Sequence, residues 1–331
     1  MARPKYSLPK QDESSTMPKT GHILQAFDLS DEHSYLRWRE WKLADYPRTA
    51  QELLVAVENP MQLGAAEHDR MLACCRKTNM AFYEIPAAKS GSKEAVRMLG
   101  RQFGLERLDM NLRADEDSIT SLRAMPEMPG NHYIPYTNRP LNWHTDGYYN
   151  SLEQQVCGIV MFCVHEPATG GINLFLDPEI AYILMRDENP DYIAALMQFD
   201  AMTIPPNIED GAEIRPQQSG PVFSVQESTG ALHMRYTART RSIEWKDDRN
   251  TRLAAGFLAE LVNSDSAYIF RYRLRAGQGI ICNNVLHRRE AFTDDVEKGT
   301  QRLLYRARYH DRIRDTGLDN DYLESINALV E

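Results

Sequence analysis

The spacing of hydrophobic and polar residues changes near residue 130. Beyond it, short runs rich in β-branched and aromatic residues recur, which is typical of strands. Helical spacing interrupts them at 178–200 and 248–263. Many short strands with helices between them predict a mainly β fold, closed or sandwiched, with flanking helices on its outside. The predicted strands lie at 156–164, 172–177, 222–227, 231–237, 268–284 and 300–310.

Helical spacing dominates the first part of the chain. The apolar positions of 48–79 predict two helices, and the following "AFYEIP" predicts a strand. Residues 90–105 have the spacing of an amphipathic helix with Ser92 as its N-cap. Residues 1–20 are polar and rich in Pro, Ser and Lys, which predicts a flexible N-terminal arm. We therefore expect this arm and a single domain over 21–331.

Charge and cysteine content narrow the function classes. The net charge is −9 and the chain has no run of Lys and Arg, so we expect no nucleic-acid partner. The five cysteines form no CxxC pair, which argues against a disulfide framework, and Cys157 and Cys163 have the context of buried apolar residues. The N-terminus has no apolar signal region, and no segment is apolar enough to span a membrane. We expect a cytoplasmic protein, without a membrane partner, that acts on a small-molecule substrate; a homo-oligomer is compatible with these features.

The sequence "NRPLNWHTDGYYN", residues 138–150, contains the one His-x-Asp triplet of the chain. In an extended strand the side chains of His144 and Asp146 would lie on the same face, where they could bind one metal ion together. A non-haem Fe(II) oxygenase uses two His and one carboxylate, which leaves positions open for other ligands. The pattern therefore predicts an iron site that needs one more His from elsewhere in the chain.

His287 is the best placed of the remaining histidines. It ends an apolar strand in "GQGIICNNVLHRREAFTD", a position expected at the mouth of a β-barrel. His165 and His233 are the alternatives. His165 has the context of a loop or a strand end, and His233 lies in a predicted strand, where it could be a hydrogen-bonded core histidine.

The last predicted strand, "TQRLLYRARYH", has one cationic face. Arg302, Arg306 and Arg308 share it by their period of two, with apolar and aromatic residues on the other face. An edge strand with a solvated basic face is one interpretation. Beside an iron site, an arginine on a strand is instead expected to bind a dicarboxylate through two hydrogen bonds.

These motifs resemble the 2-oxoglutarate-dependent dioxygenases of the taurine dioxygenase/TfdA superfamily, which includes the clavaminate synthase-like enzymes. The family pattern is HxD, a GGxT/S strand, a distal His and an Arg 11 to 15 residues further on. The similar segments here are "NWHTDGYY", "GGINLFLD" beginning 26 residues after His144, "GQGIICNNVLHRR", and "QRLLYRARY" beginning 14 residues after His287. They span residues 138–310. The resemblance implies a double-stranded β-helix, also called a jelly roll.

The resemblance also implies roles for individual residues. His144, Asp146 and His287 correspond to the catalytic iron ligands. Arg302 corresponds to the arginine that binds the far carboxylate of 2-oxoglutarate, and Asn173 stands where the family has a Thr or Ser that helps to bind it. An amide can donate a hydrogen bond as a hydroxyl does, but it reaches further. The residues implied or considered for the primary substrate are Arg306, Asn142, Tyr148 and Arg308.

The implied reaction uses Fe(II), 2-oxoglutarate and O2 to hydroxylate a C–H bond, with release of succinate and CO2. Asp146 favours hydroxylation over halogenation, because the halogenating members have a small residue in its place; desaturation is the other outcome left open. Further arginines at 235, 239 and 241 favour a small anionic or zwitterionic metabolite such as a carboxylate, an amino acid or a sulfonate. Two alternatives are a non-catalytic, metal-containing β-barrel that senses an organic acid, and a cupin-type oxygenase that does not use 2-oxoglutarate.

Overall fold

The helices and strands agree with the mainly β expectation. The computed structural model describes residues 26–86, 92–110, 115, 117–124, 134–209, 211–239, 243–295, 297 and 299–318, so the predicted arm over 1–20 lies outside the described residues. The helices are α1 (Glu32–Leu43), α2 (Ala65–Thr78), α3 (Lys93–Gln102), α4 (Pro178–Glu188), α5 (Pro190–Leu196) and α6 (Arg249–Val262).

Short strands make up most of the rest of the described chain. They are β1 (Leu54–Ala56), β2 (Met80–Glu84), β3 (Thr120–Leu122), β4 (Leu141–His144), β5 (Gly158–His165), β6 (Thr169–Gly170), β7 (Asn173–Leu176), β8 (Met202–Ile204), β9 (Asn207–Glu209), β10 (Ala212–Arg215), β11 (Gln218–Gly220), β12 (Phe223–Val225), β13 (Leu232–Met234), β14 (Glu244–Trp245), β15 (Phe270–Tyr272), β16 (Gln278–Cys282), β17 (Leu286–Arg289), β18 (Phe292–Thr293) and β19 (Leu303–Tyr309).

Two β-sheets enclose the interior of the barrel. The larger has the order β1-β2-β16-β5-β19-β3 and the smaller the order β15-β7-β17-β4. Their facing side chains meet in one apolar cluster, where the rings of Phe82 on β2 and Phe175 on β7 lie 5.4 Å apart. Sheets that pack face to face in this way bury apolar side chains between them. This is the predicted jelly-roll architecture.

Alternation along β7 and β17 separates the interior from the outer helices. Phe175 and His287 pair across the two strands and point inward, towards the larger sheet. Leu174, Leu176 and Leu286 point outward and pack against a second apolar cluster that includes residues of α1, α4, α5 and α6. Because neighbouring residues of a strand face opposite sides, His287 faces the interior while Leu286 packs under the helices.

The predicted helix over residues 90–105 is confirmed by α3. The Ser92 side chain caps it by accepting a hydrogen bond from the backbone N–H of Ala95 at 3.0 Å. Its apolar face, which includes Val96 and Leu99, is buried in the cluster that also holds the larger sheet. The predicted helical regions 178–200 and 248–263 correspond to α4 with α5 and to α6.

The prediction of two helices over 48–79 is wrong in its first half. The second half of this range forms α2, but its first half forms a single 3-10 turn over Ala50–Leu53 and then β1, which occupies Leu54–Ala56 and pairs in parallel with β2. Val55 and Val57 are buried while Ala56 between them is exposed, which is the period of a strand. Helix α1 was not identified from the sequence, because its buried face includes the charged Lys42.

The cysteines and the helices bear on two further expectations. All five cysteines are free and buried, including Cys157 and Cys163 as expected. Within the described part of the chain, no helix combines the length and apolar character needed to cross a membrane.

Candidate metal centre

His144, Asp146 and His287 converge inside the barrel. Each offers one ligand atom, and these atoms all lie within 4.8 Å of one another. The three side chains are buried, with 7, 5 and 8% of their surface exposed. His144 ends β4 and His287 lies directly opposite it on β17, with the two ring centroids 4.3 Å apart. The pairing of two antiparallel strands therefore brings together residues that are far apart in sequence.

Asp146 reaches this site from a turn rather than from a strand. Strand β4 ends at His144, and Asp146 is the first residue of the turn that follows. The two side chains are therefore not brought together by the same-face spacing of an extended strand, as the sequence had suggested. Asn284 fixes this turn: its side-chain oxygen accepts from the N–H of Asp146 at 2.8 Å, and its amide donates to the carbonyls of Asp146 and Val156 at 2.9 and 2.6 Å. Sequence reasoning missed Asn284. The sequence signal for a turn was the pair Asn283-Asn284 between two strands, because Asn favours left-handed turns. The φ of Asn284 is indeed +48°.

Backbone carbonyls orient both imidazole rings. The Nδ1 of His144 lies 2.8 Å from the carbonyl oxygen of Asn142, and that of His287 lies 2.9 Å from the carbonyl oxygen of Val285. A carbonyl only accepts hydrogen bonds, so each Nδ1 carries the proton and donates it. Each Nε2 then keeps its lone pair for a metal ion.

Burial and charge give the three groups the protonation that a metal requires. Burial lowers the pKa of His144 to about 3, with His287 acting in the same direction, and burial also lowers the pKa of His287. Burial opposes ionisation of Asp146, but the guanidinium groups of Arg306 and Arg308 hold its pKa well below the usual range. Two neutral imidazoles and one carboxylate at neutral pH fit a divalent transition metal such as Fe(II).

Arg306 contacts the carboxylate of this cluster. Its Nη1 donates to both oxygens of Asp146, at 3.0 and 3.1 Å, and its buried Nε has no partner among the described residues. Arg302, Arg306 and Arg308 are all buried, and β19 lies between β5 and β3. The interpretation of β19 as an edge strand with a solvated basic face is therefore wrong.

Arg302 is the predicted 2-oxoglutarate residue, and no carboxylate of the described residues contacts its guanidinium. Only 4% of it is exposed, and its guanidinium makes no hydrogen bond or ion pair with the part of the chain that the structure describes. Burial lowers its pKa to about 10. Asn173 is also buried and lies on β7, where its amide makes a 3.4 Å contact with the carbonyl of Gly171. Both assignments to 2-oxoglutarate stay predictions.

The other predicted substrate residues differ in their surroundings. Arg308 is ion-paired with the buried Asp109 and donates to the hydroxyl of Tyr149 at 3.1 Å, so its charge already has a partner. Tyr148 is half-buried with its ring against that of Tyr149, at 5.1 Å between centroids. The side chain of Asn142 is exposed. Arg306 and Arg308 are thus both ion-paired, Arg306 with the metal-cluster residue Asp146 and Arg308 with Asp109, and the assignments to the substrate stay predictions.

The alternative metal histidines lie outside the cluster. His165 is exposed at the end of β5, and His233 is buried on β13 beside the charges of Arg235 and Arg312.

Arg235, named above among the arginines that favour an anionic substrate, is buried and donates to four backbone carbonyls. These belong to Tyr148, Met202, Gln218 and Gly220. Arg235 therefore ties loops together rather than facing solvent. Arg239 is half-buried, and Arg241 lies outside the described residues.

A family comparison agrees with this geometry. The model of the family described as "Taurine catabolism dioxygenase TauD, TfdA family" matches residues 50–308, which include the His and Asp cluster and the strand of arginines. The chain belongs to the TauD, TfdA family. It is accordingly an Fe(II)- and 2-oxoglutarate-dependent dioxygenase.

Solved structures share the fold of this TauD, TfdA family member at low sequence identity. An asparagine oxygenase in complex with Fe(II), 2S,3S-3-hydroxyasparagine and succinate has a TM-score of 0.53 and 15% identity, over 78% of this chain and 93% of that one. A putative alpha-ketoglutarate-dependent taurine dioxygenase from Burkholderia xenovorans has a TM-score of 0.52 and 17% sequence identity, and the match covers 81% of this chain and 89% of that one. AAD-2 in complex with Mn(II) and N-oxalylglycine has a TM-score of 0.55 and 11% sequence identity, and the match covers 79% of this chain and 95% of that one. A search of curated protein sequences found no match.

Proposed function

We propose that this dioxygenase binds Fe(II) through His144, Asp146 and His287 and hydroxylates a C–H bond of a small anionic or zwitterionic metabolite, with release of succinate and CO2. The observation that carries the proposal is a buried cluster of two neutral imidazoles and one carboxylate, with ligand atoms within 4.8 Å of one another. Three protein ligands leave coordination positions for a cosubstrate and dioxygen. Bound iron supplies the oxidising chemistry that couples decarboxylation of 2-oxoglutarate to oxidation of the substrate.

The chain supplies orientation and a water-poor site. The carbonyls of Asn142 and Val285 hold the two rings with Nε2 free. Arg302 is assigned to the far carboxylate of 2-oxoglutarate because its buried guanidinium has no hydrogen-bond or ion-pair partner in the described chain. Asn173 is assigned as an additional donor to the same carboxylate. Burial of the whole cluster limits water around the reacting groups.

Arg306 is assigned to an acidic group of the primary substrate. Its guanidinium lies at the carboxylate of Asp146, where a ligand placed beside the metal would meet it. The similarity of fold to an asparagine oxygenase that contains 2S,3S-3-hydroxyasparagine and succinate supports an amino acid or a related carboxylate. Tyr148, Asn142 and Arg308 stay predictions for the substrate side. A cytoplasmic location, a homo-oligomer and one domain over 21–331 are also kept as predictions.

Turnover without the primary substrate tests the proposal. Purified protein with Fe(II), ascorbate and 2-oxoglutarate should release succinate slowly, and a panel of carboxylates, amino acids and sulfonates should contain compounds that accelerate it. A sensor barrel or a cupin-type oxygenase would release none. Absence of succinate with every compound, together with absence of a charge-transfer absorbance on adding 2-oxoglutarate to the Fe(II) protein, would refute the proposal.

A further inference from the structure

Two buried guanidinium groups lie against the same aromatic ring. The central carbons of Arg289 and Arg302 are 4.9 and 5.0 Å from the ring centroid of Phe292, so they lie within about 10 Å of each other. Only 5% of Arg289 and 4% of Arg302 is exposed. The proposed function uses Arg302 alone, and it leaves the second cation without a role.

Neither cation is ion-paired with a carboxylate in the described chain. Arg289 donates through its terminal nitrogens to the backbone carbonyls of Thr137 and Arg139, both at 2.7 Å, and of Pro135 at 3.5 Å. Its Nε is buried without a partner. The carboxylate of Asp294 accepts from the backbone N–H of Arg302, and its charge attracts the guanidinium without a contact to it.

A pair of buried like charges is unfavourable without an anion to balance it. Both guanidinium groups are buried against the ring of Phe292, where little water screens one charge from the other. Carbonyl dipoles satisfy hydrogen-bond donors but carry no net charge, so they leave the electrostatic cost in place. Among the described residues only Asp294 attracts Arg302, without touching its guanidinium, and no carboxylate contacts Arg289, so the arrangement is suited to an anionic ligand.

Strand register places Arg289 beside the predicted cosubstrate residues. On β17, Arg289 follows His287 by two residues and so shares its inward face. The same register pairs His287 with Phe175 and Arg289 with Asn173. Arg289 and Asn173 thus lie side by side, two residues along β17 and β7 from the pair His287 and Phe175, and the shared ring of Phe292 places Arg302 near Arg289.

We infer that Arg289 is a second cation for the far carboxylate of 2-oxoglutarate, which Arg302 binds directly while Arg289 adds charge and selectivity for a dicarboxylate. The inference rests on the proposed function. A purely structural role is the alternative, since the carbonyls that Arg289 holds belong to the segment leading into β4. The two roles differ in what happens to a 2-oxo acid that lacks the far carboxylate.

The test compares 2-oxoglutarate with 2-oxobutyrate, which keeps the keto-acid end and has no far carboxylate. Binding of each to the anaerobic Fe(II) protein is followed by charge-transfer absorbance. Arg289→Gln should weaken 2-oxoglutarate binding about tenfold, the effect of one charge about 10 Å away at an effective dielectric constant near 20. Binding of 2-oxobutyrate should stay unchanged. Arg289→Lys should keep the preference for 2-oxoglutarate, because it keeps the charge although it loses most of the carbonyl contacts.

Arg288 provides the matched control. It is the neighbouring residue on the same strand and carries the same charge. Its guanidinium carbon lies 5.8 Å from the ring centroid of Trp143. Arg288→Gln should leave the ratio of the two affinities within twofold of wild type. An Arg289→Lys protein that loses the preference, or an Arg289→Gln protein that weakens both ligands equally, would overturn the inference. If neither 2-oxo acid binds the wild-type Fe(II) protein, the proposed function fails, and that result is distinct from a change in the ratio.

Discussion

Two buried clusters of charge in this protein differ in how completely they are paired. In the first, which we call the Lys42 cluster, the ammonium of Lys42 is ion-paired with Asp177 and Glu179. Asp177 also accepts from the amide of Asn79 and from the N–H of Glu179, both at 2.9 Å. Arg312 lies 3.9 Å from the other oxygen of Glu179, so two cations balance the two carboxylates within the cluster.

The metal centre is buried to a similar extent but is incomplete. The Nε2 atoms of His144 and His287 accept no hydrogen bond within the described residues, and no carboxylate of those residues contacts the guanidinium of Arg302. Burying charge is costly unless partners compensate it. In a closed buried cluster, loss of one member leaves a costly uncompensated charge, whereas an open cluster keeps its unpaired groups for ligands.

The largest expected effect is loss of the metal site. His287→Ala should abolish Fe(II) binding and succinate release, because two ligands cannot replace the set of three, while the protein stays folded. Fe(II) titration, turnover and thermal melting measure this. His165→Ala is the control, since that histidine is exposed and outside the cluster. Wild-type turnover in His287→Ala would move the third ligand to another histidine and make our site wrong.

The closed cluster should respond in stability alone. Lys42→Met leaves the buried carboxylate of Asp177 without its ammonium partner and Glu179 with Arg312 alone at 3.9 Å, so the free energy of unfolding should fall by about 3–5 kcal/mol. Denaturant titration measures this, and Fe(II) affinity of the folded fraction should not change. Arg39→Met, which breaks a partly exposed ion pair with Asp187, should cost roughly 0–1 kcal/mol. An equal loss of unfolding free energy in Lys42→Met and Arg39→Met would show that burial does not make the Lys42 ion pairs more important for stability than the exposed one.

Arg302→Ala should affect ligand binding and leave stability largely unchanged, the reverse of Lys42→Met. Loss of the charged partner of the far carboxylate should weaken 2-oxoglutarate binding by about 2–5 kcal/mol. Because no carboxylate of the described residues contacts the buried guanidinium, the free energy of unfolding of the ligand-free protein should not fall by a comparable amount. Charge-transfer titration and denaturant unfolding provide the two readings. Unchanged 2-oxoglutarate affinity would transfer the assignment to Arg306 or Arg308.

Arg306→Ala should act on the primary substrate. Four residues of strand separate Arg302 from Arg306 by about 13 Å, which suits two different ligands around one metal. We expect a rise in KM that corresponds to about 1.5–3 kcal/mol, or succinate formation without product, while 2-oxoglutarate affinity stays near wild type. A variant that loses 2-oxoglutarate binding but turns over normally at saturating cosubstrate would show that the two arginines are reversed.

The smallest expected effect is at Asn284. Asn284→Gly keeps the left-handed backbone and removes only the amide that holds Asp146, so Fe(II) affinity should fall by about tenfold. Asn283→Ala is the matched control, because its amide contacts Asn79 and Thr316 rather than the metal turn. It should lower stability and leave Fe(II) affinity unchanged. Similar Fe(II) affinities in the two variants would remove Asn284 from the positioning of Asp146.

The sequence predicted which face of a strand a side chain occupies better than it predicted which residues that side chain contacts. Periodicity placed Arg302, Arg306 and Arg308 on one side of a strand, and the charges of Arg306 and Arg308 do both act on the buried Asp146. It could not reveal that Arg308 is paired with Asp109, 199 residues away. It also missed Arg289 and Asn284, whose roles depend on which strands and loops come together in the folded chain. Local pattern determines the direction of a side chain, whereas its partner across the fold depends on the three-dimensional packing.

The pairing of His287 opposite His144 makes the metal site sensitive to insertions and deletions. Removing one residue between Asn284 and His287 would keep every predicted ligand in the chain. It would nevertheless turn His287 towards the outer helices and bring an arginine or a leucine inward, since a shift of one residue exchanges the two faces of a strand. Length in this segment is therefore under a stricter constraint than composition, and a homologue could lose its iron while retaining all three ligand residues.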